Sequence, residues 1–320
     1  MQGKHNAHHN PAMGIFFMLL ATVLFSASDA LGKLLTGIYP VVQVTWIRSV
    51  LGLLFIGSYA ITTKRTGQLI TGKHGWHLLR SLLSTLLLLG IFFSLKHIPL
   101  AEVVSIAFST PFIVALLSPA FVHEKVSMQS WIAIATGFTG ILIIVRPTPD
   151  HFHIAHLVML GFATSAALLI LTARRLALTE SAVSLNFYLY PVTIIITSFW
   201  AHAVWVMPTI TDWLLFVCLG FFATSALGCI IQAMRYARPA VVAPIDYVRI
   251  IWTIIVGYLF WHEIPDPVTW IGIAIIVISG IYIVSHGRTV PEVGVDQTPL
   301  DDEGIAVIAS SGNNLSGTDD

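Results

Sequence analysis

The chain has 320 residues, of which 56% are hydrophobic and only 10% are charged, and its formal net charge is zero. Soluble domains carry about 25% charged residues, so this composition excludes a soluble globule of this size. The zero net charge gives no indication of nucleic-acid binding, which depends on basic patches. The chain instead divides into apolar runs of about 20 residues, the length that crosses a bilayer as a helix. We therefore predict an all-α, polytopic membrane protein.

Ten apolar segments follow one another along the chain, and each is predicted to be a transmembrane helix. In chain order they cover residues 12–34, 40–61, 76–96, 100–121, 128–146, 153–173, 182–205, 212–235, 240–261 and 267–285. The connections between them are too short to hold a soluble domain. We predict a cytoplasmic N-terminal segment at 1–11, two five-helix units at 12–147 and 148–286, and a disordered acidic cytoplasmic tail at 287–320.

Basic residues predict the orientation of the spans. With both termini in the cytoplasm, eleven lysine and arginine residues fall on the cytoplasmic side and three fall outside. The cytoplasmic set is Lys4, Lys64, Arg65, Lys73, Arg80, Lys125, Arg174, Arg175, Arg235, Arg238 and Arg288, and the outer set is Lys33, Lys96 and Arg146. This excess follows the positive-inside rule. We therefore expect a multi-pass protein of the bacterial inner membrane with both termini cytoplasmic.

The second half of the chain repeats the first at an offset of 139 residues. The segment "AEVVSIAFSTPFIVALLSPAFVHEKVSMQSWIAI" starts at Ala101, and "AVVAPIDYVRIIWTIIVGYLFWHEIPDPVTWIGI" starts at Ala240. The offset aligns the His-Glu pairs at 123–124 and 262–263, and it aligns Trp131 with Trp270. A repeated unit of five spans places its two copies in opposite orientations, which is a transporter architecture with a binding site between the copies.

These segments resemble the EamA family of the drug/metabolite transporter superfamily. The resemblance rests on both repeat copies, the second of which ends "EIPDPVTWIGIAIIVISGIYIV", and it extends over residues 12–286. The stretches "APIDYVRIIW", "SASDALGKLL" and "TWIR" are most similar to the branch that holds S-adenosylmethionine and riboflavin importers. The resemblance implies a ten-span inverted-repeat carrier whose fourth and ninth helices border the substrate cavity. Pro111 and Pro244 occupy the matching positions there, and each proline is predicted to interrupt or kink its span, either to free carbonyls for a site or as a simple packing kink.

Six of the charged residues within the predicted spans or near their ends call for an explanation: Asp29, Lys33, Arg48, Glu102, Asp246 and Arg249. A charge at the centre of a membrane helix costs about 2.5–3.5 kcal/mol, so each needs a partner, water or a function. Helical spacing predicts an ion pair between Asp29 and Lys33 near the outer end, and another between Asp246 and Arg249.

Depth separates two interpretations of these charges. Asp29 and Lys33 fall in the last turns of the first span, where an interfacial anchor explains them as well as a function does. Glu102 begins a helix, where a carboxylate suits the helix dipole. Arg48 and Arg249 lie near mid-depth. They form either a fixed ion pair between helices or, as we favour, the lining of a hydrated central cavity that also contains Asp246.

Polar, proline and aromatic residues on the same segments complete the predicted cavity. Such residues also form ordinary helix–helix contacts in membranes, which is the alternative for each of them. The predicted substrate-binding set is Arg48, Glu102, Ser105, Ser109, Pro111, Tyr188, Gln232, Pro244, Asp246, Tyr247, Arg249 and Thr253, with Trp46 as a weaker aromatic candidate. Glu124 and Glu263 are interpreted as structural ends of the repeat, and Gly137, Gly140 and Gly280 as sites of close backbone contact.

The sequence thus predicts a secondary carrier of a small polar or zwitterionic organic metabolite, similar to S-adenosylmethionine or riboflavin, whose two repeats rock around a central site. It has no GxxxxGK[ST] motif, so protons, a counter-substrate or the substrate gradient would supply the energy. An exporter of amino acids or related metabolites is the alternative, and a lipid-modifying membrane enzyme is a remote one. We expect no catalytic residue, cofactor or metal site, with the N-terminal "HNAHHN" inert. The oligomeric state stays open.

Overall fold

The computed structural model describes residues 11–122, 128–146, 153–176, 179–237 and 239–286, and all regular structure in these ranges is helical. The α-helices are α1 (Pro11–Ile38), α2 (Val41–Thr62), α3 (His74–His97), α4 (Leu100–Ala107), α5 (Thr110–Val122), α6 (Met128–Val145), α7 (Ile154–Leu176), α8 (Ala182–Phe187), α9 (Pro191–Ala203), α10 (Ile210–Tyr236), α11 (Pro239–Val242), α12 (Arg249–Trp261) and α13 (Pro267–His286). Two 3-10 helices cover Thr66–Leu69 and Ala243–Val248. The predicted tail, Glu124 and the N-terminal histidines lie outside the described residues.

Eight helical stretches are long and apolar enough to cross a membrane. They are Pro11–Ile38, Val41–Thr62, His74–His97, Leu100–Leu117, Ile154–Ala173, Ala182–Ala203, Ile210–Met234 and Pro244–Trp261. Two shorter apolar helices, Trp131–Val145 and Pro267–Ile283, occupy the places of the fifth and tenth predicted spans. For the described residues, the predicted all-helical, polytopic fold is therefore confirmed.

Large apolar side chains cover the outside of the helical bundle. Phe199 is 78% exposed, Ile195 is 70% exposed and Leu259 is 63% exposed. Contiguous apolar surface of this extent is rare on soluble monomers and marks contact with another apolar phase. These side chains are suited to contact with lipid.

Three of the apolar segments are interrupted inside the bundle. One break lies between α4 and α5, another between α8 and α9, and the third is the 3-10 helix Ala243–Val248 between α11 and α12. Each break carries a proline, namely Pro111, Pro191 or Pro244. Proline lacks a backbone N–H and obstructs the preceding turn, so it ends or distorts a helix. The helix interruptions predicted at Pro111 and Pro244 are therefore present.

Helices from the two ends of the chain pack against each other. α1 lies along α10, α3 lies along α7, and α6 lies along α13. α2 contacts α9 and α10, α12 contacts α1 and α4, and α5 contacts α7. A Cβ atom on Gly140 would lie 2.9 Å from the backbone oxygen of Gly272, so α6 and α13 approach closely at this glycine. The close contact predicted at Gly140 is present.

The largest buried apolar cluster fills the space between these helices. Phe92, Phe112 and Phe216 are among its buried side chains. Gly137 provides room for Phe112, because a Cβ atom there would lie only 2.4 Å from the Phe112 ring. The charged residues of the central region are therefore held by tightly packed apolar neighbours.

Candidate functional site

An ion pair joins α1 to the start of α12 inside the bundle. The Arg249 guanidinium donates a hydrogen bond through Nη2 to the Asp29 carboxylate. The Arg249 side chain is 18% exposed and the Asp29 side chain is 13% exposed. The Ser26 hydroxyl donates to the backbone oxygen of Arg249 at 3.3 Å. Since α1 continues to Ile38, Asp29 lies about 14 Å from the end of its helix, which is deeper than an interfacial anchor.

Two further charges flank this ion pair. Arg48 lies on α2 and Asp246 lies on the 3-10 helix, and each is within electrostatic reach of Asp29. Both side chains are half-buried. Among the described residues, no hydrogen bond or ion pair engages the Arg48 guanidinium or the Asp246 carboxylate. We call Asp29, Arg48, Asp246 and Arg249 the central charge cluster.

The direct partner of Arg249 differs from the prediction. The spacing of Asp246 and Arg249 predicts that these two form an ion pair, but the Arg249 guanidinium bonds Asp29 on another helix. Asp246 stays within electrostatic reach of Arg249 without forming the pair. Periodicity within one segment cannot reveal a partner that lies 220 positions away along the chain.

Aromatic rings surround the central charge cluster. The Arg249 guanidinium lies 4.9 Å from the centroid of the Phe25 ring, and the Arg48 guanidinium lies 5.8 Å from that of Phe92. Both distances allow cation–π attraction. Tyr190 is within electrostatic reach of Arg48 and packs on Gly52 of α2, where a Cβ atom would lie 2.8 Å from its ring. The cluster is thus charged at its centre and aromatic at its walls.

Tyr247, the favoured aromatic candidate, lies against α13. A Cβ atom on Gly280 would lie 1.7 Å from the Tyr247 hydroxyl, and the ring is 4.7 Å from that of Phe108. Gly280 therefore leaves room for the Tyr247 side chain, and the structure does not show the close backbone contact that the sequence predicts there. In the described part of the chain, the buried hydroxyls of Tyr247 and Ser109 have no hydrogen-bond partner.

A cavity of about 310 Å³ opens at the bundle end that the charge pattern predicts to face outwards. Its lining consists of Pro99, Ala101, Glu102, Thr253, Ile254, Gly257, His262, Glu263, Ile264, Pro265, Asp266 and Thr269. Two of the predicted binding residues, Glu102 and Thr253, belong to this lining. Thr253 also donates a hydrogen bond to the backbone oxygen of Arg249 at 2.7 Å. The cavity therefore ends one helical turn from the central charge cluster.

Two ion pairs and one hydrogen bond between a histidine and a carboxylate lie around this cavity, and we call these three the outer contacts. They are Lys33–Glu263, Arg146–Asp266 and Glu102–His156, the last with 2.8 Å between Glu102 Oε2 and His156 Nε2. Each joins a residue of the first half of the chain to a residue of the second half. In the described ranges, no group of three or more His, Cys, Asp or Glu side chains could hold a metal ion.

Asp29 and Lys33 do not form the predicted pair with each other. Lys33 bonds Glu263, and Asp29 bonds Arg249. The first helix ends four residues later than predicted, which moves Asp29 towards mid-depth. Glu263 folds back along α12, where its Oε2 atom lies 3.7 Å from the Cβ position of Gly257, and this brings it within reach of Lys33. Glu263 also accepts a hydrogen bond from the Leu100 N–H, which supports its predicted structural role at a helix end.

Several other predicted residues bond elsewhere in the protein. Ser105 is buried and donates to the backbone oxygen of Ala101 at 2.6 Å, within its own helix. Trp46 donates through Nε1 to the Ser198 hydroxyl at 2.6 Å, which links α2 to α9. Gln232 is half-buried on α10. The binding roles of these three residues stay predictions.

Tyr188 belongs to a different group of residues, at the predicted cytoplasmic end. Its hydroxyl donates to the backbone oxygen of Leu69 at 2.9 Å, and its ring lies 4.4 Å from the His77 ring. His77 in turn lies beside Glu180, with 3.5 Å between His77 Nε2 and Glu180 Oε2. The structure therefore does not bring Tyr188 together with the central charge cluster.

Glu180 connects the two halves of the chain at this end. Its carboxylate accepts hydrogen bonds from the hydroxyls of Thr71 at 2.6 Å and Ser184 at 3.1 Å. Burial favours the neutral acid, but the bonds from Thr71 and Ser184 and the neighbouring His77 outweigh burial and lower the pKa of Glu180.

The lowered pKa of Glu180 predicts an acid-sensitive contribution to stability. A carboxylate whose pKa is lower in the folded state stabilises above its unfolded pKa, and this contribution is lost as pH falls through the folded pKa. We therefore expect the melting temperature to fall below about pH 4.5, the ordinary value for Glu, and to fall less in the Glu180→Gln variant. Thermal unfolding in detergent between pH 3 and 7 measures this difference, and equal acid slopes would contradict it.

Sequence reasoning missed several contributors to these sites. Tyr190 is one of the aromatic residues near the charges in the sequence, but it was not among the favoured ones, although it directly precedes Pro191 at a helix break. His156 lies in the first turn of its span, at the same predicted membrane face as Glu102. This shared position is the sequence feature that could have indicated their contact. Phe25 lies one turn before Asp29 on α1, and no sequence signal distinguished it from lipid-facing phenylalanines.

A bundle of apolar helices with paired charges inside it and a cavity at one end indicates a membrane transporter. The sequence pattern of the EamA-like transporter family matches residues 12–146 and matches again at residues 153–285. The chain belongs to this family. The family resemblance and the expectation of a transporter rather than an enzyme are therefore confirmed.

Curated relatives match over most of their length. A riboflavin transporter of Vibrio cholerae is 28% identical over 282 residues, covering 86% of this chain and 94% of that protein. An S-adenosylmethionine uptake transporter of Rickettsia bellii is 27% identical, covering 85% and 94%. The pseudopaline exporter CntI of Pseudomonas aeruginosa is 27% identical, covering 84% and 94%. A crystal structure with a TM-score of 0.57 and 18% identity covers 86% of this chain and 96% of its own, which shows a shared fold.

Proposed function

We propose that this chain is a secondary carrier of the bacterial inner membrane that imports a small polar or zwitterionic organic metabolite by alternating access. Ten spans form two inverted five-helix repeats, at 12–147 and 148–286, and both termini are cytoplasmic. Protons or a counter-substrate supply the driving force. The names of the riboflavin and S-adenosylmethionine transporters among the relatives support import of a cofactor-like metabolite.

The packing of the helices supports the inverted repeat. The spans are numbered here within each five-helix unit. The first span of the first unit, α1, packs on the third span of the second unit, α10. The reciprocal contact joins the third span of the first unit, α3, to the first span of the second unit, α7. The contact of α1 with α12 is likewise matched by that of α7 with α5, while the fifth spans, α6 and α13, pack on each other. A two-fold axis in the membrane plane produces such reciprocal sets. The double match of the family pattern supports the same arrangement.

The observation that carries this proposal is the central charge cluster. Four charged side chains lie inside the bundle, where each costs about 2.5–3.5 kcal/mol on insertion scales, and only two of them pair directly. A purely structural role requires one closed ion pair and leaves the Arg48 and Asp246 side chains without a hydrogen bond or ion pair. A hydrated binding site supplies both side chains with water or ligand.

Contacts at both ends of the bundle supply the gates that alternating access requires. The outer contacts join the two halves around the cavity, and Glu180 joins the two halves at the predicted cytoplasmic end through Thr71 and His77. In the proposed cycle one set of contacts opens while the other stays closed. The central charge cluster then faces one side of the membrane at a time.

Export of amino acids or related metabolites is the second candidate. The similarity to the pseudopaline exporter CntI supports it, because that relative matches over the same share of the chain as the importers. The two candidates differ in direction and share the site. Transport assays on oriented vesicles separate them.

Uptake into proteoliposomes tests the carrier proposal directly. Purified protein is reconstituted with an internal pool of S-adenosylmethionine, riboflavin, nucleosides or L-amino acids, and counterflow of the same labelled compound is measured. We expect one of these classes to exchange and empty liposomes to show none. Absence of exchange for every class, with the protein folded and inserted, would remove the proposal.

Thiol labelling tests whether the central charge cluster is hydrated. The native cysteines, Cys218 and Cys229, are first replaced by serine. We expect the Asp246→Cys variant to react with a membrane-impermeant thiol reagent and the transported compound to slow this reaction. Ile195→Cys, on the lipid-exposed surface, is the control and is expected to stay unlabelled. Failure of position 246 to react under any condition would place it in a dry environment.

A further inference from the structure

A second cavity, of about 480 Å³, opens where α3 begins, at the predicted cytoplasmic end of the bundle. Its lining consists of Gly72, Lys73, Gly75, Trp76 and Leu79. A Cβ atom added to either glycine would meet nothing within 4 Å, so the cavity is open on this side. None of the lining residues belongs to the cavity beside the outer contacts or to the central charge cluster. We call this second cavity the α3 recess.

Two basic side chains, one from each half of the chain, lie at the α3 recess. Lys73 lines it, and the Arg175 guanidinium of α7 flanks it, 4.8 Å from the centroid of the Trp76 ring. The Lys73 ammonium donates a hydrogen bond to the neutral Thr179 hydroxyl at 2.6 Å, only four positions after Arg175. In the described ranges, neither Lys73 nor Arg175 forms an ion pair with a carboxylate. Both positive charges are therefore available to an anion.

The acidic residue of this region, Glu180, is engaged elsewhere. Its carboxylate accepts hydrogen bonds from the Thr71 and Ser184 hydroxyls and lies beside His77. The Glu180 side chain is only 7% exposed, and it does not line the α3 recess. The charge that the recess presents to an incoming group is therefore positive, which is complementary to an anion.

The residues of the α3 recess change in character along the helix. Lys73, Trp76 and Leu79 follow one another at intervals of three, so they lie on one face. Leu82 and Leu86 continue this face, and the exposed fractions of the three leucines are 42%, 40% and 50% in chain order. From Lys73 to Leu82 the helix rises about 14 Å, close to the hydrocarbon thickness of one leaflet, about 15 Å. A phospholipid presents a charged headgroup, a glycerol and an acyl chain in the same order.

We propose that the α3 recess binds the headgroup of an anionic phospholipid, with its phosphate between Lys73 and Arg175. An acyl chain of the same lipid packs along the exposed leucines of α3. Ammonium and guanidinium groups form strong charge-assisted hydrogen bonds with phosphate oxygens, and anionic lipids attract basic residues at the cytoplasmic surface of a membrane. The bound lipid fastens the start of α3 to the end of α7 and stabilises the folded protein. It is a different molecule from the transported compound.

Thermal unfolding in detergent with added lipids tests this site. The purified chain is mixed with dioleoyl phosphatidylglycerol, dioleoyl phosphatidylcholine, dioleoylglycerol or inorganic phosphate. A ligand that binds the folded protein raises its melting temperature by mass action. We expect phosphatidylglycerol to raise this temperature until the site is saturated and the other three to leave it nearly unchanged. An equal shift from inorganic phosphate would assign the recess to a free anion. That result overturns the proposal, as does an equal shift from phosphatidylcholine or no shift from phosphatidylglycerol.

Charge variants test the two basic residues. Lys73→Gln and Arg175→Gln are each expected to raise the half-saturating concentration of phosphatidylglycerol by about 10-fold or more, because each removes a charge-assisted hydrogen bond. Lys73→Arg keeps the charge and is expected to retain most of the shift. Lys96→Gln is the matched control, since Lys96 is an exposed lysine in the last turn of the same helix. A response to phosphatidylglycerol that is unchanged in both glutamine variants, or equally weakened in the control, overturns the proposal.

A bulky side chain in the recess separates a seated headgroup from general attraction of anionic lipid to basic residues. Gly75→Phe adds a ring where the Cβ position is unobstructed, and it leaves both positive charges in place. We expect this variant to lose the phosphatidylglycerol shift. Gly67→Phe, at an equally unobstructed glycine outside the recess, is expected to keep the shift. Should Gly75→Phe fail to fold, Gly72→Phe places the ring in the same recess. A full shift in the folded recess variant contradicts the proposal.

The lipid measurements need no transported compound, so they are independent of the carrier proposal. Loss of the lipid site, with counterflow intact, overturns only the lipid site. A folded chain that responds to phosphatidylglycerol through Lys73 and Arg175 but exchanges no compound keeps the lipid site and removes the carrier proposal.

Discussion

Replacement of Arg249 by glutamine is expected to destabilise the folded protein by about 3–5 kcal/mol, because it leaves Asp29 as an uncompensated charge inside the bundle. Both side chains are largely buried, so water compensates little of this loss. The same variant is expected to lose transport, because it removes one charge of the central charge cluster. Reversible unfolding in detergent micelles measures the first effect, and counterflow measures the second.

A double-mutant cycle isolates the contribution of the ion pair. Asp29→Asn combined with Arg249→Gln is expected to cost much less than the sum of the two single changes, because no unpaired charge is left. Arg146→Gln is the matched control. Its partner Asp266 is 45% exposed, so this variant is expected to cost less than about 1 kcal/mol. Additive costs in the central cycle would show that Asp29 and Arg249 are not coupled.

Alanine at Gly90 is expected to destabilise the contact between α3 and α7 by about 1–3 kcal/mol through overpacking. A Cβ atom there would lie 1.4 Å from Cδ2 of the Phe162 ring, so the ring or a helix must move. The methyl group of alanine is the smallest side chain that can be introduced at this position. Thermal unfolding of the detergent-solubilised protein measures the cost.

Variants at Gly161 and Phe162 on α7 test whether the loss of stability in Gly90→Ala is steric. Gly161→Ala lies beside Phe162 with nothing within 4 Å of its new Cβ atom, so it is expected to be neutral or stabilising, as for an exposed helical glycine. Phe162→Leu shortens the obstructing side chain and is expected to reduce the cost of Gly90→Ala. Equal losses for Gly90→Ala and Gly161→Ala would attribute the effect to the helix backbone instead of the contact.

Helix positions were predictable because hydropathy alone determines where a span can lie. The second span was predicted at 40–61 and α2 covers Val41–Thr62, and the tenth was predicted at 267–285 and α13 covers Pro267–His286. Proline chemistry likewise predicted the breaks at Pro111 and Pro244. These features depend on a residue and its close neighbours in the chain, which a sequence displays directly.

Charge partners were not predictable because they depend on packing between distant helices. Helical spacing paired Asp29 with Lys33 and Asp246 with Arg249, yet Asp29 bonds Arg249 across 220 positions and Lys33 bonds Glu263 across 230. An error of four residues at the end of α1 was sufficient to change the inferred depth of Asp29. The unengaged state of Arg48 also has no sequence signature, because periodicity does not show whether a side chain finds a partner.

The attachment of α1 to α12 affects which helices can move together during transport. Asp29 and Lys33 lie one turn apart on α1. Asp29 forms an ion pair with Arg249 at the start of α12, and Lys33 forms one with Glu263 just beyond the end of α12. A helix from one half of the gene is thereby fastened at two points to a helix from the other half. In the proposed alternating-access cycle, each of the two moving assemblies then contains helices from both halves of the chain. A covalent link between α1 and α12 should leave transport turnover intact. A link from α1 to a helix of the other moving assembly should stop turnover.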